Sequence, residues 1–150
     1  MPIAHLSHRT AIHIGGDAAV EFLERLVTSD VEKMPSGVAA PSALLTPQGK
    51  MLFDFIVWPG AQRELLLDCE ADAADDLVKR LSLYRLRRKI EIAVDPEVAV
   101  HWQREMGDGG AADPRLGALG QRWLAPASES DEAADTAWQA HRLALGVPEG

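Results

Sequence analysis

The chain has 150 residues, of which 47% are hydrophobic and 25% charged, so it can bury a core in one or at most two small globular units. Its net charge of −8 argues against nucleic-acid binding, which needs an excess of Lys and Arg. The sequence has neither an apolar run of membrane-spanning length nor a recognisable signal peptide. A single cysteine, Cys69, excludes an internal disulfide and a CxxC metal site. We therefore expect a cytoplasmic protein without a membrane or nucleic-acid partner.

The first third of the chain predicts a strand and an amphipathic helix. Residues 9–14 have strand character, Gly15-Gly16 break the strand, and Asp17 is a good N-cap for a helix over residues 18–28. The apolar residues of this helix share one wide face: Ala19, Val20, Phe22, Leu23, Leu26 and Val27.

A β-hairpin is predicted next. Thr46-Pro47-Gln48-Gly49 has the residue order of a type I turn, and the apolar runs 43–45 and 51–58 on either side form the two arms. Strand alternation makes both faces of the second arm apolar. We therefore expect this strand to lie inside a sheet and to be covered on both sides.

One carboxylate interrupts this second arm. Asp54 shares its face of the strand with Leu52, Ile56 and Trp58. A carboxylate among apolar side chains is costly unless it is paired, hydrogen-bonded or protonated. Asp54 is therefore the first candidate site residue.

The second half predicts a strand over residues 64–70, a helix from Asp72 to about Leu86, and strands over residues 89–95 and 98–102. The stripe that packs this helix is formed by Ala74, Leu77, Val78 and Leu81. Antiparallel strands with helices against one face make an α+β domain with a ferredoxin-like element.

The C-terminal third is less regular. Residues 105–120 read as a loop, 122–126 as a strand and 135–145 as a last helix. The chain then divides into two possible sub-units, residues 1–45 with 121–150 and residues 46–120. Two weak motifs carry no site: GDGG at 107–110 lacks phosphate-loop spacing, and the N-terminal histidines lack a metal-binding motif. These histidines are His5, His8 and His13.

A basic segment ends the second helix. Its cations are Arg80, Arg85, Arg87, Arg88 and Lys89. Cations at a helix C-terminus are favourable because they oppose the helix dipole. The alternative interpretation, left open by the sequence, is recognition of an anionic small molecule.

Several segments, taken together and in this order, resemble the YgfZ-type folate-binding proteins, which are relatives of the glycine-cleavage T-protein, an aminomethyltransferase. These segments are GGDAAVEFLERLVTSDV, LLTPQGKMLFDFIVW, ELLLDC, LSLYRLRRKIEI and HRLALGVPEG. The resemblance implies a GcvT/YgfZ-like N-terminal region, in a ring of domains around a channel for tetrahydrofolate. It also implies a role in iron–sulfur cluster assembly or maintenance, with iron–sulfur client proteins as partners.

The same resemblance implies a set of folate-contacting residues. Asp54 would contact the pterin or its one-carbon unit and is the only catalytic candidate, while the basic segment would contact the anionic glutamate tail. The full set of expected contacts is Asp54, Gln48, Lys50, Tyr84, Arg85 and Arg87.

Two departures qualify what the resemblance implies. The T-protein has two adjacent acidic residues where this chain has Phe53-Asp54, so the folate-binding role is favoured over aminomethyltransferase activity, which stays the alternative. The YgfZ signature KGCYxGQE is absent, so we expect the chain to be the N-terminal portion of such a protein. A third hypothesis is a non-catalytic module that docks on a partner protein.

Overall fold

The structure is a computed structural model. It describes residues 3–6, 8–28, 39–59, 64–85, 88–103, 111–112, 114–115, 121–126, 138 and 140–147. Within these ranges the chain forms, in order, β1 (Ile3–His5), β2 (Arg9–Gly15), α1 (Ala19–Glu24), β3 (Ala40–Leu45), β4 (Met51–Pro59), β5 (Leu65–Glu70), α2 (Ala71–Arg85), β6 (Glu91–Val94), β7 (Val98–Gln103), β8 (Ala111–Ala112) and β9 (Gln121–Pro126).

The larger sheet has five strands in the order β3-β4-β5-β2-β6, and every neighbouring pair is antiparallel. The series β2-α1-β4-β5-α2-β6 follows the β-α-β-β-α-β arrangement of ferredoxin-like motifs, and β3 is added at one edge. The predicted α+β class and its ferredoxin-like element are confirmed.

Both helices pack on one face of this sheet, because alternate residues of its strands and one stripe of each helix are apolar. Ile12 and Ile14 of β2, Val57 of β4, and Leu77 and Leu81 of α2 belong to the resulting core. These five side chains are buried. The predicted packing of the second helix on the sheet is therefore confirmed.

The smaller sheet has the order β1-β7-β9-β8 and is also antiparallel. Its own core contains Leu6, Val100, Trp102 and Trp138. Leu124 of β9 packs against a further cluster that includes Ile56 and Trp58 of β4, so the smaller sheet lies against the face of the larger sheet that the helices leave open. The strands of the two sheets divide at about residue 95, with β1 as an exception. The two sub-units suggested by the sequence stay a prediction.

Helix α1 is shorter than the sequence predicts. Its N-cap is Ala18, without a side-chain hydrogen bond, so the prediction that Asp17 caps the helix is wrong. The helix ends at Glu24 because the chain then joins the edge of β3. Val27 forms an isolated β-bridge with Leu44 of β3. This bridge takes the place of the last helical turn that the sequence predicts.

The hairpin turn forms as predicted, with the backbone N–H of Gly49 donating to the carbonyl of Thr46 at 2.9 Å. The first arm begins at Ala40, three residues earlier than predicted. The second arm is covered only in part, since Phe55 to Trp58 are buried but Met51 is 57% exposed. The expectation that the whole strand is covered on both faces is therefore wrong for its first residues.

Two short strands were not predicted from the sequence. β1 was not predicted, and β8 lies within the predicted loop 105–120, where it pairs with β9. Most of that loop, including GDGG, lies outside the described residues, as do residues 135–137 and 139 of the predicted last helix; residues 140–144 are helical. None of the helices in the described ranges is long and apolar enough to cross a membrane.

Candidate ligand-binding cleft at Asp54

A cleft opens where strands β4 and β5 separate. The two strands are paired from Ile56–Asp68 to Pro59–Leu65, and their paired region does not extend to Asp54. At this point β5 ends and α2 begins at Ala71, whose backbone N–H donates to the carbonyl of His8 at 2.8 Å. The chain therefore turns away from β4 and leaves a cavity of about 110 Å³ in the sheet.

Asp54 lines this cavity together with Leu52 and Phe53 of β4, Cys69 and Glu70 of β5, and Ala73 and Leu77 of α2. Its side chain is half-buried. Within the described part of the chain, the Asp54 carboxylate makes no hydrogen bond or ion pair. A half-buried carboxylate without a protein partner is available to accept hydrogen bonds from a ligand.

The thiol of Cys69 is not a reactive group in this cleft. Burial raises its pKa to about 12, and the neighbouring carboxylates of Asp68, Glu70 and Asp54 raise it as well, against a lowering effect of Arg9. A thiol with this pKa stays protonated at neutral pH, whereas the thiolate is the nucleophile and metal ligand. The interpretation of Cys69 as a core residue is confirmed.

A larger groove adjoins the cleft. It has a volume of about 740 Å³ and shares Leu52 and Phe53 with the cavity. Its other wall is formed by α2, including Val78, Lys79, Arg80 and Leu83. A volume of this size is typical of small-molecule sites, whereas the cavity at Asp54, with about 110 Å³, lies below that range.

Among the described cations of the basic segment, Arg80 alone lines the groove that adjoins this cleft. Arg85 lines a separate cavity together with Glu64, at the end of β5 opposite to Glu70. Glu64 and Glu70 are six positions apart along the extended chain, which corresponds to about 20 Å. The core and the smaller sheet cover the two faces of the sheet between these ends. The cleft at Asp54 and the cavity at Arg85 are thus two distinct places on the surface.

The remaining predicted contacts are spread over the surface. Gln48 and Lys50 are exposed in the hairpin turn, and Lys50 lies four residues from Asp54, or about 13 Å along a strand. Tyr84 is 39% exposed on α2, next to Arg85. Arg87 lies outside the described residues. The folate roles of all these residues stay predictions.

The sequence analysis missed a buried ionic cluster. Asp68 of β5 is fully buried and accepts hydrogen bonds from two buried arginines. Arg9 donates from Nε to Oδ1 at 2.8 Å, and Arg122 donates from Nε to Oδ2 at 2.7 Å and from Nη2 to Oδ1 at 3.3 Å. Arg122 belongs to β9, so this cluster joins the two sheets.

Burial alone would raise the pKa of Asp68, but the charges and hydrogen bonds of Arg122 and Arg9 outweigh this effect and lower its pKa below the ordinary value. The carboxylate is therefore ionised at neutral pH and is occupied by its partners. Both oxygens of Asp68 accept hydrogen bonds from arginine and the residue is fully buried, so a ligand cannot reach this carboxylate. The sequence contains an indication of this cluster, because Asp68, like Asp54, is a single carboxylate within an apolar strand, LLLDC.

The chain is similar in sequence to curated iron–sulfur cluster assembly factors. It is 26% identical over 181 aligned positions to the "Iron-sulfur cluster assembly factor IBA57 homolog, mitochondrial" of Neurospora crassa, covering 99% of this chain and 41% of the relative. It is 31% identical over 181 positions to the human "Iron-sulfur cluster assembly factor IBA57, mitochondrial", covering 97% of this chain and 50% of the relative. The chain thus spans about half the length of these relatives or less. No protein-family model matches it.

The fold has a counterpart among solved structures. The aminomethyltransferase T of the glycine cleavage system from Bartonella henselae superposes with a TM-score of 0.59 and 23% identity, over 66% of this chain and 27% of that one. The predicted GcvT-like fold is thereby confirmed. Sequence and fold together support homology to the IBA57 assembly factors, while the YgfZ type within this group stays a prediction.

One expectation is overturned by these comparisons. The relatives from Neurospora crassa and human are named as mitochondrial proteins, so the comparisons point to mitochondria and the prediction of a cytoplasmic protein is wrong. That prediction rested on a single cysteine and the absence of a targeting signal, and neither feature distinguishes one reducing compartment from another.

Proposed function

We propose that the protein acts in iron–sulfur cluster assembly and binds tetrahydrofolate through the cleft at Asp54. The first part rests on the sequence similarity to IBA57 assembly factors over nearly the whole chain. The second part rests on one observation, a half-buried carboxylate that lines an open cleft and has no partner among the described residues. The shared fold with an aminomethyltransferase supports the choice of a folate as ligand.

The chemistry of Asp54 suits a ligand with N–H groups. A carboxylate has about four acceptor positions and can accept two adjacent N–H donors at once, as an amino-substituted ring such as a pterin presents them. The cavity at Asp54 holds only the edge of such a ring. The adjoining groove supplies apolar contacts from Leu52, Phe53 and Leu83 for the remainder of the ligand.

The test is the substitution Asp54→Asn, measured by calorimetric titration of tetrahydrofolate into the full-length protein. A hydrogen bond to a charged group contributes about 1.5–3 kcal/mol, so the affinity should fall by about 10- to 100-fold. The melting temperature without ligand should change little, because Asp54 makes no hydrogen bond or ion pair with the described residues.

The matched control is Asp75→Asn, which removes the same charge from the exposed face of α2 and should leave the affinity unchanged. Wild-type affinity in the Asp54→Asn variant would remove Asp54 from the site. An early melting transition together with a normal ligand-induced shift would show that Asp54 is a structural residue.

A cellular experiment tests the assembly role by itself. Cells that lack the protein should lose activity of iron–sulfur enzymes, and wild-type protein should restore it. If the folate is used in that role, Asp54→Asn should restore less than Asp75→Asn does. Normal iron–sulfur enzyme activity in the depleted cells would contradict the assembly role, whatever the folate affinity.

Aminomethyltransferase activity is the second candidate, because shorter matches to aminomethyltransferases also occur. In this chain Phe53 packs against the helix-side core, at the position where the T-protein resemblance places a second acidic residue. Strand alternation directs residues 53 and 54 to opposite faces, so Glu70 is the nearest further carboxylate in the cleft. Transfer of a one-carbon unit from a lipoyl-bound aminomethyl group to tetrahydrofolate, measured with purified protein, tests this candidate directly.

A further inference from the structure

A second cavity lies at the end of the sheet opposite to Asp54. It has a volume of about 510 Å³. Its charged lining residues are Arg85, Arg88, Lys89, Glu64 and Glu91. We call it the basic cavity. The chain as a whole carries 15 Lys and Arg against 23 Asp and Glu, so a place with an excess of cations contrasts with the rest of the protein.

The backbone holds these cations in a fixed arrangement. The N–H of Arg88 donates to the carbonyl of Arg85 at 3.1 Å, and the N–H of Ile90 donates to the carbonyl of Arg88 at 3.0 Å. Gly16 packs against this turn with a φ of +114°, and a Cβ at Gly16 would lie 2.5 Å from the carbonyl oxygen of Lys89. The turn can approach the backbone of residue 16 this closely only because glycine has no Cβ that would clash with it.

The cations of this turn are not all engaged in contacts with the described residues. Arg85 donates from Nη1 to the carbonyl of Ile90 at 3.2 Å, which orients its guanidinium toward the turn. Within the described part of the chain, Arg88 and Lys89 make no ion pair. The carbonyl of Arg85, at the end of α2, accepts its hydrogen bond from the backbone N–H of Arg88 and not from a side chain of this turn.

The carboxylates of the cavity do not cancel these charges. Glu64 accepts a contact from His13, with Oε2 2.9 Å from Nε2, and this pair lies on β2 and the start of β5. Glu91 is exposed at the start of β6. Among the described residues, the cavity is lined by three cations and two carboxylates, and one of these carboxylates is already in contact with His13. This excess of positive charge favours an anionic ligand.

We propose that the basic cavity is a binding site for a small oxyanion, a ligand that carries carboxylate or phosphate groups, and that it works independently of the Asp54 cleft. The planar fork of an arginine can donate two parallel hydrogen bonds to two oxygens of a carboxylate or of a phosphate. The ligand has two possible sources: a free compact anion such as phosphate, or an oligoglutamate chain such as the tail of a folate. The proposal does not require the proposed folate function, because it rests on the described cavity alone.

The experiment is calorimetric titration of the protein with inorganic phosphate and, in a second arm, with tri-γ-glutamate, both without folate. The variant is Arg88→Gln with Lys89→Gln, which should weaken binding about tenfold by removing two exposed charge contacts. The control is Arg25→Gln with Lys50→Gln, which makes the same change of charge at exposed positions that line neither this cavity nor the groove beside Asp54, and it should bind like wild type. High salt should weaken the wild-type affinity by screening.

A further variant changes no charge. Gly16→Ala should displace the turn that carries Arg88 and Lys89 and thereby weaken binding of the same probe, while the charge variant keeps the proposal testable if Gly16→Ala does not fold. Binding of phosphate alone identifies a compact anion as ligand, and binding of tri-γ-glutamate alone identifies an extended one. Binding of neither probe, or equal losses in the variant and its control, would overturn the proposal.

Discussion

The buried carboxylate of Asp68 provides the sharpest prediction for stability. Asp68→Asn keeps the shape of the side chain but replaces one oxygen by an NH₂ donor, which then faces an arginine N–H. At least one of the three side-chain bonds from Arg9 and Arg122 is lost, and the two buried guanidinium groups lose their common counter-charge. The bond from Arg9 to the backbone carbonyl of Asp68, at 2.8 Å, remains.

The expected cost follows from these contacts. Each hydrogen bond to a charged group contributes about 1.5–3 kcal/mol, and breaking a buried ion pair from one side costs about 3–5 kcal/mol. We therefore expect Asp68→Asn to lower the free energy of unfolding by about 3–5 kcal/mol at pH 7. Denaturant titration followed by circular dichroism measures this difference, with Asp75→Asn as the exposed control.

The pH dependence supplies an independent check. The pKa of Asp68 is lower in the folded protein than in the unfolded chain, so the unfolded chain binds the proton more readily. The stabilisation is complete above the unfolded pKa of about 3.9 and is lost as the pH falls through the lower folded value. The difference between wild type and Asp68→Asn should thus be constant near neutral pH and shrink below about pH 4.

A loss below about 1 kcal/mol, or a loss equal to that of Asp75→Asn, would refute the conclusion that the cluster joins the two sheets. The triple variant Arg9→Met, Asp68→Leu, Arg122→Met separates charge from packing. It removes all three charges together and should recover most of the stability that Asp68→Asn loses, because well-packed apolar residues can replace a buried ionic cluster.

Two further predictions concern the backbone and the thiol. Gly16→Ala should destabilise the protein by at least about 2 kcal/mol. The loss should be larger than for Gly49→Ala, because both glycines have positive φ but a Cβ at Gly49 meets no atom within 4 Å. Equal losses in thermal unfolding would show that the contact between a Cβ at residue 16 and the carbonyl of Lys89 does not limit this position. Cys69, whose pKa is raised to about 12, should resist iodoacetamide at pH 8 in the native protein and react once denaturant is added; native-state modification at the rate of a free thiol would contradict its burial.

Elements with strong local signals could be predicted from the sequence. The hairpin turn has Pro and Gly at the positions that a type I turn requires, and α2 has an apolar stripe over several turns, so both were found within a few residues of their bounds. Shorter elements depend on distant partners. β1 has three residues and exists because it pairs with β7, and the end of α1 is decided by the bridge from Val27 to β3.

The different environments of Asp54 and Asp68 could not be predicted from the sequence. Asp54 and Asp68 present the same pattern, one carboxylate within an apolar strand, and the cost of burying a charge applies equally to both. What separates them is where β4 and β5 stop pairing, at Ile56 and Asp68. Asp68 forms the last pair of this region and lies under the smaller sheet, where Arg122 reaches it, whereas Asp54 lies two residues beyond the last paired residue of β4, in the cleft. Strand register between distant segments thus decides which carboxylate is held by arginines and which makes no hydrogen bond or ion pair with the described residues, and alternation within one strand contains no information on it.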